Sequence, residues 1–430
     1  LEEAVFPAGK TMPPTAEAHE PGGIAVLRAN LASGLLLALR FVQARFLSIW
    51  GLLAAAALCP AQVFADFALF SALANFASIA ALMRFEAVFF QNADSVWLGR
   101  AFRLALVVGV AFLIAAAGAV TGAVSLGWLA AGHGALFCLS LTGRAVLRLV
   151  SAEATAEGDF STIGNGNIVQ ALVQPGVMVA LIWLFEANAT ALFAADAIGH
   201  LVAASYLVIR RRRALARLAT PGSWSLAELQ ASAERWRVAP LFLLPSALLS
   251  FGFMVVPLLA LPLTSNAVLA AQVALAMRLL EVPTQMFAAV SVPLVLGSLR
   301  AREGAARQHL ARFITLCRYG SAAAMFIGIA VFALGADVAL DHTQWAGVGD
   351  VIAILTLFYG GIALVAPLHE MASLSRWPHR QVVANAIALA AAALAMVWFG
   401  TLSWALLCAI GVISLARGAA HIRFAWTRLG

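Results

Sequence analysis

The stretch LALVVGVAFLIAAAGAVTGAV, residues 104 to 124, decides the fold because it carries no charged side chain over its whole length. A bilayer core about 30 Å thick is crossed by roughly 20 apolar residues of helix. Comparable runs recur along the chain, which has 430 residues and is 63% hydrophobic but only 11% charged. Soluble domains are about 25% charged. The sequence therefore predicts an all-α integral membrane protein, because helices satisfy their own backbone hydrogen bonds in lipid.

Apolar runs between polar breaks predict about twelve transmembrane helices. The first six are expected at 31–58, 64–89, 101–124, 128–150, 166–185 and 189–209, and the second six at 238–263, 265–299, 313–334, 346–374, 381–399 and 403–422. The GNGN sequence at 164–167 is expected to form the turn before the fifth helix.

Basic residues divide the connections into two sets. Arginines occur near 100–103, 210–237, 300–307, 376–380 and 423–428, whereas the connections 59–63, 125–127, 186–188, 335–345 and 400–402 contain no Lys or Arg. We call the first set the basic side. Short cytoplasmic loops are enriched in Lys and Arg, so the pattern predicts a multi-pass membrane protein with both termini in the cytoplasm.

The longest polar break divides the chain into parts. We expect a disordered cytoplasmic tail at 1–23, a six-helix bundle at 24–209, a basic cytoplasmic linker at 210–237 and a second six-helix bundle at 238–430. Two sets of six helices would share one orientation, as in transporters with parallel repeats. The RRRR cluster at 210–213 is interpreted as a topology signal.

Several classes of function lack support in the sequence. The net charge of +7 comes from residues scattered between apolar runs, which favours anionic lipids over nucleic acid as a partner. The four cysteines show no paired spacing, so neither a disulfide framework nor a metal site is predicted. No phosphate-binding glycine loop, zinc motif or nucleophile elbow is present. The chain is therefore not expected to be an enzyme or to carry a cofactor.

Charged residues inside the apolar runs are the candidate site residues, since a charge at membrane depth is costly and usually faces a cavity or a partner. Arginines and an accompanying acid occur in the first, second and fourth helices: Arg40, Arg45, Arg84, Glu86, Arg144 and Arg148. The last two are spaced i to i+4, so they lie on one helix face and could jointly hold an anion. Anchoring at the inner headgroups is the alternative for each.

Two further groups lie deeper. Arg278, Glu281 and Gln285 share one face of the eighth helix, where an ion pair would be surrounded by hydrocarbon. Asp196 and His200 stand one turn apart in the sixth helix. A carboxylate beside an imidazole could relay protons, so Asp196, His200 and Glu281 are candidates for coupling to a proton or sodium gradient. A structural hydrogen bond is the alternative for the Asp-His pair.

Three stretches resemble the polysaccharide transport family. FADFALFSALANFASIAALMRFEAVFF, 64–90, is similar to the family's second helix with its Arg-x-Glu-x-Ala ending, here RFEAV. RWRVAPLFLLPSALLSFGFMVVPLLAL, 235–261, looks like its seventh helix. AAQVALAMRLLEVPTQMFAAVSVPL, 270–294, resembles its Ala-x-Arg-Leu-Leu-x-x-Pro pattern. Arg84, Glu86 and Arg278 fall on matching motif positions.

This resemblance implies a member of the multidrug/oligosaccharidyl-lipid/polysaccharide (MOP) superfamily, with two six-helix bundles around a central cavity. It further implies an O-antigen or oligosaccharide flippase that moves undecaprenyl-pyrophosphate-linked sugars from the cytoplasmic to the periplasmic leaflet by alternating access, for polysaccharide biosynthesis and export. Such a protein would lie in the bacterial cytoplasmic (inner) membrane and would act as a monomer beside a polymerase and glycosyltransferases. Arginine suits pyrophosphate because its planar fork donates two charge-assisted hydrogen bonds.

Two other functions compete with this hypothesis. A multidrug exporter of the same superfamily would favour acidic residues and an aromatic-lined pocket for cationic drugs. A membrane glycan polymerase or ligase would need a sizeable extracytoplasmic loop with catalytic His or Arg, and the longest connection opposite the basic side, 335–345, is short.

Overall fold

The computed structural model describes residues 43–44, 47, 50–51, 57–90, 94–220, 224–264, 266–300, 304–340, 345–370 and 379–428. All regular secondary structure within these ranges is helical. The predicted tail at 1–23, together with Arg40 and Arg45 of the predicted first helix, lies outside the described residues.

The first bundle consists of five described helices, each the counterpart of one predicted helix. They are α1 (Ala61–Ala81), α2 (Ser95–Ser125), α3 (Ala131–Ala156), α4 (Phe160–Phe185) and α5 (Ala189–Leu218). A short amphipathic helix, α6 (Leu226–Arg235), follows in the basic linker and packs against α2.

The second bundle begins with a broken helix and continues with five long ones. The broken part comprises a π-helical segment (Ala239–Leu243), α7 (Leu244–Met254), α8 (Val256–Leu259) and a 3-10 turn (Leu261–Leu263). The long helices are α9 (Ala267–Arg300), α10 (Gly304–Leu340), α11 (Val348–Glu370), α12 (His379–Phe399) and α13 (Trp404–Arg428).

The predicted all-helical membrane fold is confirmed. Within the described ranges, eight helices are long and apolar enough to cross a membrane, and a pair bent by 50°, Leu226–Arg235 with Ala239–Met254, could form a ninth span. The exposed side chains of these helices are largely apolar, as Trp183 and Trp398 illustrate. Such surfaces are expected where lipid replaces water around the protein.

Two predicted local structures are wrong, and the seventh predicted helix is broken. The second predicted helix ends at Ala81, because Met83 and Arg84 adopt left-handed φ angles of 48° and 62°, and a 3-10 helix follows at Phe85–Phe90. The seventh predicted helix is interrupted, and its four prolines supply the reason: each lacks an N–H for the i to i−4 hydrogen bond. The GNGN sequence lies inside α4, where Gly166 lets Leu207 approach closely.

Each bundle is organised around one central helix. In the first bundle α5 packs against α3 and α4, and in the second α11 packs against α9, α10 and α13. Gly361 permits the approach of α11 to α13, because a Cβ atom there would lie 2.6 Å from the carbonyl oxygen of Ser414. The core of the second bundle contains Leu355, Phe358 and Ile410, all fully buried.

The two bundles meet through α1, which contacts both α7 and α9. Ile79 of α1 shares a buried apolar cluster with Ala247 and Phe251 of α7. The ring of Phe76 lies 6.0 Å from that of Phe251. Because α1 runs towards the basic side, Ile79 lies nearer the basic end of the molecule than Ser71 and Asn75 of the same helix.

Candidate functional site

A cavity of about 380 Å³ lies between the bundles. Helices α1, α3, α4 and α5 line it from the first bundle, and α7, α8, α9 and α11 from the second. Six of the predicted site residues are among its lining side chains: Arg144, Asp196, His200, Arg278, Glu281 and Gln285. The structure therefore brings residues of the predicted fourth, sixth and eighth helices together at one cavity.

The first-bundle side of the cavity is organised around Asp196, whose side chain is only 1% exposed. Arg144 donates to both carboxylate oxygens, at 2.8 and 3.0 Å. Ser140 donates at 2.6 Å and Gln174 at 3.3 Å. Three helices thus converge on one carboxylate, and these donors satisfy a charge that would otherwise be unfavourable at this depth.

His200 extends this cluster by one helical turn. Its Nδ1 lies 2.8 Å from the backbone oxygen of Asp196, and its Nε2 lies 2.9 Å from the side-chain nitrogen of Gln170. A carbonyl can only accept, so Nδ1 must carry the proton, and Nε2 then accepts from the amide. These contacts select the neutral imidazole with its proton on Nδ1. The interhelical hydrogen bonding considered as the alternative role of Asp196 and His200 is present, from Arg144 to Asp196 and from Gln170 to His200.

The second-bundle side is formed by α9. Arg278 donates to Glu281 at 3.2 Å, and Gln285 donates to the other oxygen of the same carboxylate. Arg278 also donates across the cavity to the backbone oxygen of Ala68 in α1, at 3.2 Å. This hydrogen bond joins the two bundles at a point about 17 Å along α9, at 1.5 Å per residue from its start.

Three predicted site residues lie elsewhere. Arg84 contacts Glu86 at 3.5 Å, at the turn where α1 gives way to the 3-10 helix, and neither residue lines the cavity. Arg148 donates to Ser78 at 3.4 Å and also lies outside the cavity lining. Because Arg144 binds Asp196 instead, the two arginines of α3 do not form a joint anion site in this structure.

The charges that line the cavity are balanced. Among the described lining residues, the two arginines are matched by two carboxylates, and each arginine contacts one of them. The sequence showed an excess of intramembrane arginine, but the carboxylate that each guanidinium contacts depends on helix rotation and packing. The ion pair expected between Arg278 and Glu281 is present, whereas Arg144, considered as part of an anion site, is paired with Asp196.

Apart from the hydroxyl groups of Ser71 and Tyr359, the rest of the described lining is amide and apolar. Gln170 and Gln174 are spaced i to i+4 on α4 and both face the cavity, as does Asn75 of α1. These amides were not predicted, because only charged residues were taken as candidates. Their helical spacing inside an apolar run is the sequence signal that indicates them. Phenylalanine and methionine side chains complete the wall: Phe67, Met178, Phe251, Met254 and Met277. Within the described ranges, no three His, Cys, Asp or Glu residues are grouped closely enough to hold a metal ion.

No protein-family model and no curated protein matches the sequence. Solved structures do match it. The eukaryotic MATE transporter AtDTX14 aligns with a TM-score of 0.60 at 16% identity, over 92% of this chain and 96% of that one. A mutant of the Vibrio cholerae MATE transporter VcmN gives 0.63 at 16% identity, over 92% and 97%. A multidrug resistance MATE family transporter of the MOP superfamily, outward-facing, gives 0.56 at 13%, over 91% and 92%.

The chain has the MATE transporter fold. The predicted arrangement of two helical bundles around a central cavity is thereby confirmed. At 13 to 16% identity the likeness is one of fold, and it extends over nearly the whole length of both chains. One of the three matching structures is described as a member of the MOP superfamily, and none of the three is described as a polysaccharide flippase.

Proposed function

We propose that this chain is a membrane transporter that carries a small amphipathic organic molecule across the bilayer by exposing its central cavity to the two sides in turn. The observation that supports this proposal is that side chains of both bundles line the cavity, and that the hydrogen bond from Arg278 to Ala68 crosses between the bundles. A cavity of this kind changes shape when the bundles move relative to each other. Its volume of about 380 Å³ lies within the roughly 300–1,000 Å³ of small-molecule sites.

The lining favours an amphipathic cargo. Methionine side chains are flexible and polarisable, so they adapt to different apolar shapes, and the phenylalanines provide rings for stacking. The amides donate and accept without a preference for charge, and the paired ions attract neither anions nor cations strongly. Export of drug-like compounds is therefore the better supported of the two transport hypotheses, and several of the matching structures are MATE transporters.

Flipping of a lipid-linked oligosaccharide is the second candidate. Two arginines in one cavity and the motif resemblance support it. A pyrophosphate would, however, have to replace Asp196 or Glu281 as the partner of a guanidinium, and the displaced carboxylate would then lose its strongest hydrogen bonds. This cost places the flippase hypothesis second.

The same cluster supports a proposal about the coupling ion, for which the sequence left proton and sodium open. We propose that Asp196 and His200 together bind a proton from one side of the membrane and release it to the other during the transport cycle. Glu281 would be a second proton-binding residue. The geometry that supports this is the neutral imidazole, whose Nε2 lone pair is available once Gln170 rotates away. An imposed pH gradient should accelerate transport by the wild-type protein but have little effect on a His200→Gln variant that still folds.

Proteoliposomes test cargo and direction together. One set receives cationic, zwitterionic and anionic fluorescent dyes of similar size, and the other a fluorescent lipid-linked oligosaccharide. Dye movement that depends on the protein, without leaflet exchange of the lipid, supports the first candidate. The reverse result supports the flippase. Movement of neither cargo, by protein shown to be folded, would contradict both.

A cross-linking experiment tests the bundle movement. In a variant without native cysteines, Ile79→Cys and Ala247→Cys place thiols in the cluster that joins the bundles. A bifunctional thiol reagent should stop transport by this pair. The control is Phe70→Cys with Phe193→Cys, whose native rings stack 4.1 Å apart within the first bundle. Equal inhibition of the two pairs would count against movement between the bundles.

A further inference from the structure

A second cavity, of about 400 Å³, lies at the basic side of the second bundle, between α12 and α13. We propose that it is a binding site for a phosphate group, borne either by a lipid headgroup of the adjacent leaflet or by a soluble phosphate compound. The proposal concerns a region distant in sequence from the residues of the central cavity, and it does not depend on the cargo that the central cavity carries.

The polar side chains that line this second cavity are mainly basic. Arg380 and Gln381 come from the first turn of α12, and His421 and Arg423 come from the last turns of α13. Among the described residues that line this cavity, none is an aspartate or a glutamate. Two guanidinium forks that reach one cavity from different helices suit a tetrahedral oxyanion, which can accept two hydrogen bonds from each. Phe424 adds an apolar wall.

A buried positive charge, that of Arg417, lies near this cavity. Arg417 lies one turn further into α13 and is only 3% exposed. It donates to Asn385 at 2.8 Å and to Ser250, and its guanidinium lies 4.9 Å from the ring centre of Phe253. Within the described part of the chain it contacts no carboxylate, and its Nη1 has no hydrogen-bond partner. A buried guanidinium without a counter-charge is costly, and an anion in the neighbouring cavity would reduce that cost.

A hydrogen-bond chain connects the cavity to Arg417. Asn385 donates to the backbone oxygen of Ser246 at 3.2 Å, which fixes the orientation of its amide. Its Oδ1 therefore accepts from Arg417, and it also accepts from Nε2 of His421, 3.1 Å away. His421 lines the cavity. The buried charge is thus two hydrogen bonds away from a side chain that a ligand would touch.

The same chain reaches the helix that borders the central cavity. Ser246 and Ser250 belong to α7, and Phe251 and Met254 of α7 line the central cavity. A phosphate bound between α12 and α13 would therefore strengthen a network that includes the first helix of the second bundle. A basic patch that only faced solvent would have no such hydrogen-bonded connection to buried residues.

Binding is measured on the full-length protein. The test variant is Arg380→Gln with Arg423→Gln. The matched control is Arg212→Gln with Arg213→Gln, which removes the same charge from exposed arginines that line neither cavity. One arm titrates inorganic phosphate and pyrophosphate into protein in a neutral detergent. The other uses nanodiscs of phosphatidylcholine, with or without phosphatidylglycerol, and native mass spectrometry to count retained lipids.

The proposal predicts that the test variant binds at least one of these ligands about tenfold more weakly than the wild type, because charge-assisted hydrogen bonds are lost, while the control is unchanged. Loss in the nanodisc arm alone identifies a lipid headgroup, and loss in the soluble arm alone identifies a free phosphate. Equal weakening in test and control variants would show a diffuse charge effect and overturn the proposal. So would unchanged binding, or absence of binding by the wild type.

Discussion

Replacing Asp196 with asparagine removes one charge from the centre of the first bundle and almost no volume. The carboxylate accepts from Arg144, Ser140 and Gln174, and the substitution leaves the guanidinium without its anionic partner. Removal of one member of a buried ion pair costs about 3–5 kcal/mol. Arg144 is 11% exposed, towards the cavity, so water can solvate part of the remaining charge. We therefore expect a loss of about 3 kcal/mol in the free energy of unfolding.

Reversible denaturation in mixed detergent micelles measures this loss. The companion variants are Arg144→Gln and the double variant that carries both changes. The double variant removes both charges, so it should lose less than the sum of the single losses, with a coupling energy of about 0.5–3 kcal/mol. Glu186→Gln, the same chemical change at an exposed residue, serves as the control and should stay within about 0.5 kcal/mol of the wild type.

Two results would refute this reasoning. An Asp196→Asn protein as stable as the control would show that the carboxylate is not stabilised as a charged partner of Arg144. Strictly additive single losses would show that the two side chains do not interact energetically, whatever their separation.

Three other outcomes follow from local geometry. Gly361→Ala should lower the free energy of unfolding by about 1–3 kcal/mol, because its Cβ would lie 2.6 Å from the carbonyl oxygen of Ser414; unchanged denaturation would contradict the close approach of α11 to α13. Asp337→Ala should cost about 1 kcal/mol in the same assay, since its carboxylate accepts from two backbone N–H groups beside the start of α11, at 3.0 and 3.1 Å. Partial burial opposes ionisation of Asp159, but hydrogen bonds from the first turn of α4 and the charge of Arg211 outweigh it, so the pKa of Asp159 is lowered from 3.8. Its stabilisation is present above that value and is lost as the pH falls through the lower, folded pKa, so Asp159→Asn should flatten the acid limb of a stability–pH curve.

The helices were predictable because lipid imposes a simple rule on sequence. Runs of apolar residues long enough to cross a bilayer located every described helix from α1 to α13 except the short α6, together with the division into two bundles. The rule fails where the backbone departs from the helix for local reasons. The left-handed angles of Met83 and Arg84 are not encoded by hydropathy, and proline positions in 238–263 indicate a bend without specifying where the π-helical and 3-10 segments begin.

The candidate site was predictable in composition but not in pairing. Depth in the membrane identified Arg144, Asp196, Arg278 and Glu281, all of which line the central cavity. Contact between Arg144 and Asp196 depends on the relative rotation of α3 and α5, which no one-dimensional pattern contains. Arg84, which was selected through the motif resemblance, lies at the end of α1 and does not line the cavity, because the helix ends at Ala81 and the chain turns there.

The balanced charges of the cavity have an electrical consequence. Moving one elementary charge through the membrane potential changes the free energy by about 2.3 kcal/mol per 100 mV. Arg144 moves with Asp196, and Arg278 with Glu281, so a rearrangement of the bundles displaces four formal charges that sum to zero. These four charges would then contribute nothing to the voltage dependence of the empty carrier's reorientation, so any voltage dependence of the complete cycle would report charges outside the cavity, the charge of the cargo and that of the ions that accompany it.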